Sequence, residues 1–182
     1  MVTKNYARFL NSIKIYPDTI NVSLKMITTS GDSFSKDVAF TDPGLCLRVV
    51  SVLLLHNTNL RTYPLSGDNI GTGMFFGNGT TPPTTNDYKL ESQIDYDNNG
   101  LRVLDTSIVY IPDKDTLAVY TYTVKNNSKE NITISESAMI SDTWIPLAGH
   151  THCTFLWARD TFEPVILQPG ETRAFTMTIG LE

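Results

Sequence analysis

Apolar and polar residues alternate along most of the chain, and this two-residue period predicts β-strands. The clearest example is the last predicted strand, whose apolar members are Phe175, Met177, Ile179 and Leu181. Segments rich in glycine, proline, asparagine and aspartate separate the alternating runs, as is typical of turns. The other predicted strands cover residues 20–28, 45–56, 87–96, 101–111, 117–125 and 131–140.

Two turns predict hairpins between neighbouring strands. Asn99-Gly100 precedes the strand that begins at residue 101, and Asn-Gly is a strong hairpin signal. The polar run 126–130 predicts a second hairpin between the strands on either side of it. Short strands that are separated by turns indicate an antiparallel architecture.

Only the N-terminal segment has a helical period. Tyr6, Phe9, Leu10 and Ile13 follow the i, i+3, i+4, i+7 spacing of one apolar helix face, which predicts a helix over 4–13. A helix of this length is marginal on its own, so we expect it to dock on its own domain or on another subunit.

These patterns together predict an all-β protein. We expect an antiparallel β-sandwich of jelly-roll or immunoglobulin-like topology, with a short N-terminal helix. Residues 1–17 would form the helical arm and residues 18–182 a single β-sandwich domain. The 182 residues are enough for one domain with a full core.

The charge pattern excludes several classes of partner. The net charge is −5 and lysine and arginine are scattered, so we expect no nucleic-acid partner. The longest apolar run, 49–55, is far shorter than the roughly 20 residues that a membrane helix requires, so we expect no membrane contact. The N-terminus does not resemble a signal peptide, which predicts that the protein stays in the cytoplasm where it is made until it is assembled or released.

Two short motifs contain possible metal ligands, and both are incomplete. The run 149–153, Gly-His-Thr-His-Cys, needs a further ligand for a tetrahedral zinc site, and a loop leading into a strand explains it equally well. Residues 95–100 match the first half of a calcium loop, but Thr106 stands where that pattern has glutamate. Since no nucleophile-and-base motif is present either, we predict no cofactor, no metal, no catalytic residue and no enzymatic activity.

Residues 71–92 combine four glycines with the stiff Pro82-Pro83 pair. Glycine permits backbone angles that other residues avoid, whereas proline restricts them, so we predict a loop of defined shape. No Gly-Lys-Ser/Thr follows the glycines, and this excludes a phosphate-binding P-loop.

Two groups of motifs give information about the family of the protein as well as its fold class. The first consists of Gly71-Thr72-Gly73, Thr81-Pro82-Pro83 and Asp87-Tyr88-Lys89-Leu90-Glu91-Ser92. The second consists of Phe155-Leu156-Trp157-Ala158-Arg159-Asp160, Pro164-Val165, Pro169-Gly170-Glu171-Thr172 and the alternating residues 175–179. Both resemble segments of small structural proteins of tailed bacteriophages, although residues 149–153 and Trp157 depart from that pattern.

The resemblance implies a non-enzymatic virion protein. It would be a capsid-decorating or head/tail-associated accessory subunit that is made in the host cytoplasm and becomes part of the virion. Its partners would be other copies of itself and other phage proteins of the capsid or tail. The candidate interaction residues are Tyr6, Phe9, Leu10, Ile13, Gly73, Pro82, Pro83 and Tyr88.

The aromatic residues support an alternative function. A carbohydrate- or receptor-binding module of a tail tip or fibre would stack host-surface sugars on such rings. Aromatic residues are also enriched in strands because of their β-propensity, and this explains the same composition through core or interface packing. The aromatic residues concerned are Tyr88, Tyr96, Tyr110, Tyr120, Tyr122, Trp144 and Trp157.

Arg159 follows an apolar run and is a candidate structural residue. Strict alternation would place it on one strand face with Cys153, Phe155 and Trp157. A charge at the rim of an apolar face needs a partner, because an unpaired buried charge is very costly. We therefore predict that Arg159 binds a carboxylate or loop carbonyls and that its loss destabilises the fold.

Overall fold

The computed structural model of the chain describes residues 4, 13–15, 20–40, 73–96, 99–109, 116–145 and 151–180. Nine strands in these ranges form three three-stranded sheets, and every pairing is antiparallel. The strands are β1 Ile13–Ile15, β2 Ile20–Ile27, β3 Ser33–Phe40, β4 Gly73–Gly77, β5 Leu101–Val109, β6 Thr116–Asn126, β7 Ile132–Ile145, β8 Thr151–Leu167 and β9 Thr172–Gly180. The sheet orders are β1-β2-β3, β4-β7-β8 and β5-β6-β9. The prediction of an all-β antiparallel protein is therefore confirmed.

The β4-β7-β8 sheet forms the core and is buried on both faces. Residues 73–77, 134–140 and 155–159 are all buried along their full length. One face carries a cluster of Phe75, Leu90, Ala138, Ile140 and Leu156. Leu90 belongs to the segment between β4 and β5, so this segment covers that face of the sheet.

The opposite face of the core sheet contacts the β5-β6-β9 sheet. Phe175 of β9 packs against Phe76 of β4 with ring centroids 4.8 Å apart, and against Phe162 of β8 at 6.0 Å. Tyr120 and Tyr122 of β6, which pair with β9, are also buried. Aromatic side chains therefore take part in the contact between these two sheets.

The predicted N-terminal helix is not seen at its C-terminal end, where the described residues 13–15 form a strand. Ile13, its last predicted residue, begins β1 and pairs with Val22 of β2. Ile13, Ile15, Ile20 and Val22 are β-branched and favour the extended conformation, which explains why strand pairing prevails here. Tyr6, Phe9 and Leu10 lie outside the described residues.

The strand predicted over 87–96 is wrong. These residues run irregularly, and Gln93 forms an isolated antiparallel bridge to Gly77. The hairpin predicted at Asn99-Gly100 is therefore wrong as well, because β5 pairs with β6 and not with the preceding segment. The strand predicted over 45–56 lies outside the described residues.

The second predicted hairpin, at 126–130, is replaced by a crossing between sheets. The turn connects β6 of one sheet to β7 of another, and these two strands do not pair with each other. The fully buried Asn126 holds this crossing: its Nδ2 donates to the carbonyls of Glu130 (2.8 Å) and Leu167 (2.9 Å), and its Oδ1 accepts from the Ser128 amide at 2.8 Å. One side chain thereby links the β6–β7 turn to the end of β8.

We expect Asn126→Ala to lower the free energy of unfolding by about 2 to 3 kcal/mol. The reason is that the groups which form hydrogen bonds with the Asn126 side chain would lose their partner. Asn127→Ala is the matched control at the neighbouring, half-buried position, and it should change stability by less than about 1 kcal/mol. Urea unfolding of both variants measures the difference. Equal effects would show that the buried amide does not hold the crossing.

Candidate functional site

Arg159 lies in the middle of β8 with only 4% of its surface exposed. It stands opposite Ala138, whereas Leu156 stands opposite Ile140. The register shifts between these pairs, since Met139 faces Ala158, and Trp157 is the extra residue of a bulge. The predicted strict alternation is therefore wrong: Arg159 shares its face with Leu156, and not with Phe155.

All three nitrogen atoms of the Arg159 guanidinium donate hydrogen bonds. Its Nε donates to Glu136 Oε2 at 2.9 Å, and its Nη1 donates to Asp87 Oδ2 at 2.8 Å. Its Nη2 donates to the Thr81 carbonyl at 3.1 Å and lies 3.5 Å from Glu91 Oε2. The expected pairing with carboxylates and a loop carbonyl is found. Burial alone would lower the pKa of Arg159, but its bonds to Asp87 and Glu136 outweigh burial and raise it.

Glu136 of β7 is fully buried and connects Arg159 to the loop backbone. Its Oε1 accepts from the amides of Gly79 (3.1 Å) and Ser92 (2.8 Å), and its Oε2 accepts from the amide of Glu91 (3.2 Å). A carboxylate that receives several N–H donors and a guanidinium is compensated for the loss of water. Glu136 therefore joins both ends of the segment 79–92 to the core sheet.

Glu91 and Asp87 organise the interior of the same segment. Glu91 accepts from the amides of Thr80 (3.0 Å) and Thr81 (2.9 Å), and mainly the Thr81 bond lowers its pKa. Asp87 accepts from the amide and hydroxyl of Thr84, at 3.0 and 2.7 Å. Burial raises the pKa of Asp87, but the Thr84 bonds and Arg159 together hold it below its usual value. We call Arg159, Glu136, Asp87 and Glu91 the arginine network.

We expect acid to weaken the fold through this network. The folded-state pKa values of Asp87 and Glu91 are lowered, so their stabilisation is present above the unfolded values near about 4 and is lost as pH falls through the folded values. Thermal unfolding between neutral and acid pH measures the slope, and Asp87→Asn should reduce it. Glu163→Gln, at an exposed position of β8 outside the network, is the control and should leave the slope unchanged. An acid slope that Asp87→Asn leaves unchanged would contradict the assignment.

Gly77 and Gly79 let the loop approach Glu136 closely. A Cβ at Gly77 would lie 2.2 Å from Glu136 Oε1 and 2.5 Å from the Ser92 carbonyl oxygen. A Cβ at Gly79 would lie 2.6 Å from Glu91 Cβ and 2.7 Å from Glu136 Oε1. All four distances are shorter than real Cβ contacts, so neither position has room for a side chain.

The predicted interaction residues fall in different environments. Gly73 is buried at the start of β4, whereas Pro82 is exposed and Pro83 and Tyr88 are half-buried. The ring of Tyr88 lies against Gly31 in the turn between β2 and β3, where Tyr88 Cε2 is 3.4 Å from the position of a Cβ. The structure thus brings Pro82, Pro83 and Tyr88 into one loop and leaves Gly73 in the core.

Contacts from other parts of the chain also reach this loop. The Lys4 amide donates to the Thr85 carbonyl at 2.9 Å, and Lys4 Nζ donates to Asn86 Oδ1 at 2.6 Å. A shallow depression of about 270 Å³ lies beside the loop. The residues that line it are Thr81, Asn86, Asp87, Tyr88, Lys89, Leu90, Glu91 and Arg159.

The candidate metal motifs are only partly described. Residues 97–98 of the calcium-like run and 146–150, with His150, lie outside the described residues. Within the described part of the chain, no group of three or more histidine, cysteine, aspartate or glutamate side chains is arranged to hold a metal ion. The same residues contain no helix that is long and apolar enough to cross a membrane.

Sequence reasoning identified Arg159 but missed its carboxylate partners. Glu136 is 23 residues away along the chain and Asp87 is 72 residues away, so no local pattern connects them. One signal was present: Glu136 is a charged residue inside a segment with strand periodicity, and a buried charge of this kind requires a counter-charge.

Comparisons of the chain with protein-family models, with curated proteins and with solved structures gave no match.

Proposed function

We propose that this chain is a non-enzymatic structural subunit of a bacteriophage virion, and that it decorates the capsid or associates with the head or tail. Its activity is assembly with other protein subunits. The motif resemblance supports the phage context, and the geometry of the loop at residues 80–86 supports its use as a contact surface.

The observation that carries the proposal is an exposed loop that buried and half-buried charged side chains hold in place. Thr80, Thr81 and Pro82 are exposed, as are Thr84, Thr85 and Asn86, and Pro83 is half-buried. The loop carries no charged side chain between residues 80 and 86, whereas the groups beneath it are charged and bonded to its amides. A surface that is ordered before binding loses little conformational entropy on docking, and this favours protein association.

The sheet arrangement supports the same proposal. The contact of Phe76 with Phe175 places the β4-β7-β8 sheet against the β5-β6-β9 sheet, and the chain crosses between them after β6 and after β8. We propose that these two sheets form a β-sandwich of jelly-roll or immunoglobulin-like topology. Antiparallel sandwiches place their connecting loops at the ends of the sheets, where neighbouring subunits can contact them.

Sedimentation of the purified protein and mass spectrometry of virions test the proposal. We expect symmetric oligomers, or binding to virions that lack the protein. Replacing both Pro82 and Pro83 by alanine should weaken either interaction, whereas Pro169→Ala, at the exposed turn before β9, should leave it unchanged. A protein that stays monomeric and is absent from virions would overturn the proposal.

A second candidate function rests on the depression beside the loop. It combines the ring of Tyr88 with the polar side chains of Asn86 and Lys89, a combination that suits a sugar ring with its hydroxyl groups. A glycan array would detect binding, and Tyr88→Ala should abolish it. Thr176→Ala on exposed β9 is the control. The absence of any glycan binding would remove this candidate.

A further inference from the structure

Two lysine side chains lie at the depression beside the loop. Lys4 Nζ donates to Asn86 Oδ1 at 2.6 Å, and Asn86 lines the depression. Lys89 lines the depression as well, and its Nζ lies 5.9 Å from the centroid of the Tyr88 ring. Both lysine residues are exposed, so a group from outside the subunit can reach them.

Lys4 is held on the loop by its backbone as well as by its side chain. Its amide donates to the Thr85 carbonyl at 2.9 Å, while its Nζ is bonded to the neighbouring Asn86. The arginine network holds the same loop from beneath. The ammonium group of Lys4 is therefore presented on a surface of defined shape, which reduces the entropy that a partner's binding must overcome.

The carboxylates that line the depression, Asp87 and Glu91, are already bonded within the subunit. Each oxygen of both carboxylates accepts a hydrogen bond from a loop amide or hydroxyl. Arg159 lies within ion-pair distance of both and supplies their counter-charge. Lys4, by contrast, is bonded to an uncharged amide oxygen. The charge that the depression offers to a partner is therefore the positive charge of Lys4 and Lys89.

We propose that this depression receives an acidic side chain of a second copy of the chain, and that Lys4 and Lys89 bind its carboxylate. The inference rests on the proposed function, since it names the partner and the chemistry of the assembly contact. Hydrogen bonds between ammonium and carboxylate groups are charge-assisted, and complementary charges fix the register of an interface. A second copy has carboxylates to offer, because aspartate and glutamate number 19 against 14 lysines and arginines.

The charges also determine how the two copies are arranged. Two depressions that faced each other across a two-fold axis would bring their lysines together, and like charges repel. The carboxylate therefore comes from another surface of the second copy, where Glu130 in the β6–β7 turn and Glu163 on β8 are examples of exposed acidic residues. Such a head-to-tail contact repeats from copy to copy and closes into a ring or continues as a filament.

Charge reversal in the full-length protein tests the inference, with self-association measured by sedimentation equilibrium at low ionic strength. Lys4→Glu should weaken self-association at least about tenfold, because it places a carboxylate where the partner's carboxylate binds. Lys129→Glu, at the exposed β6–β7 turn, makes the same change in net charge and should alter self-association by less than about twofold. Circular dichroism checks that both variants fold as the native protein does.

Lys4→Gln separates the charge from the bond, since glutamine can still donate to Asn86 Oδ1 but carries no charge. Added salt should weaken the association of the native protein more than that of Lys4→Gln. Equal effects of Lys4→Glu and Lys129→Glu on an associating protein would overturn the inference and leave the assembly function standing. Binding to virions without self-association would also overturn the inference alone. A monomer that does not bind virions would overturn both.

Discussion

Replacement of Arg159 by alanine is expected to lower the free energy of unfolding by about 3 to 5 kcal/mol. The substitution removes the guanidinium that Glu136 and Asp87 share, and it leaves the fully buried Glu136 carboxylate without a counter-charge. It also removes the bond from Nη2 to the Thr81 carbonyl, which fastens the loop directly to β8. Chemical denaturation of the purified variant measures the loss.

Arg173→Ala is the matched control for this experiment. Arg173 is also bonded to a glutamate, Glu171, at 2.9 Å, but 47% of its side chain is exposed. An exposed pair of this kind contributes little, so the control should lose less than about 1 kcal/mol. If Arg159→Ala and Arg173→Ala have the same effect, burial does not strengthen the network and the assignment is wrong.

Gly77→Ala is expected to destabilise the protein by about 3 kcal/mol, because it places an atom where the Glu136 carboxylate and the Ser92 carbonyl already lie. The protein can relieve the clash only by moving Glu136 away from the loop amides or by moving the loop itself. Unfolding measurements give the energy, and loss of protection at Ser92 and Gly79 would show which group moves.

Gly170→Ala separates this steric effect from a backbone effect. Gly170 has a φ of 79° and no atom within 4 Å of the position of a Cβ, so alanine there should cost only about 1 kcal/mol of backbone strain. A Gly77→Ala variant that is as stable as the native protein would mean that Glu136 does not occupy its observed position.

The alternation of apolar and polar residues located five of the nine described strands and did not predict β1, β3, β4 or β8. β2, β5, β6, β7 and β9 all fall within or near the predicted segments. Their pairing was not predictable in the same way. The polar run 126–130 predicts a turn. Whether the strand after the turn joins the same sheet depends on the buried contacts of Asn126.

The segment 87–96 shows why local pattern can mislead. Tyr88 and Leu90 alternate with charged neighbours as in a strand, yet the amides of Glu91 and Ser92 bond to a side-chain carboxylate on β7. Those amides are consequently not available for a regular ladder. Glu136 lies 45 residues from Glu91 along the chain, so the local sequence does not reveal these bonds.

The sequence predicted that Arg159 requires a charged or polar partner, but it did not predict which residues supply that partner. A charge in an apolar strand requires a partner, and this reasoning identified Arg159. The bulge at Trp157 then places the guanidinium on the face that the loop covers, and strict alternation could not reveal a bulge. The loop was expected to have a defined shape because of its glycines and prolines, but the carboxylates that give it this shape come from Asp87, Glu91 and Glu136.

Amide hydrogen exchange tests most directly the central claim that the arginine network holds the exposed loop in one conformation. The amides to follow are those of Gly79, Thr80, Thr81, Thr84, Glu91 and Ser92. In the native protein we predict that they are protected together, and that Arg159→Lys, which keeps the charge but loses the planar fork, reduces their protection while the paired amides of β6 keep theirs. Exchange of these six amides in the native protein as fast as in an unstructured peptide would contradict the account.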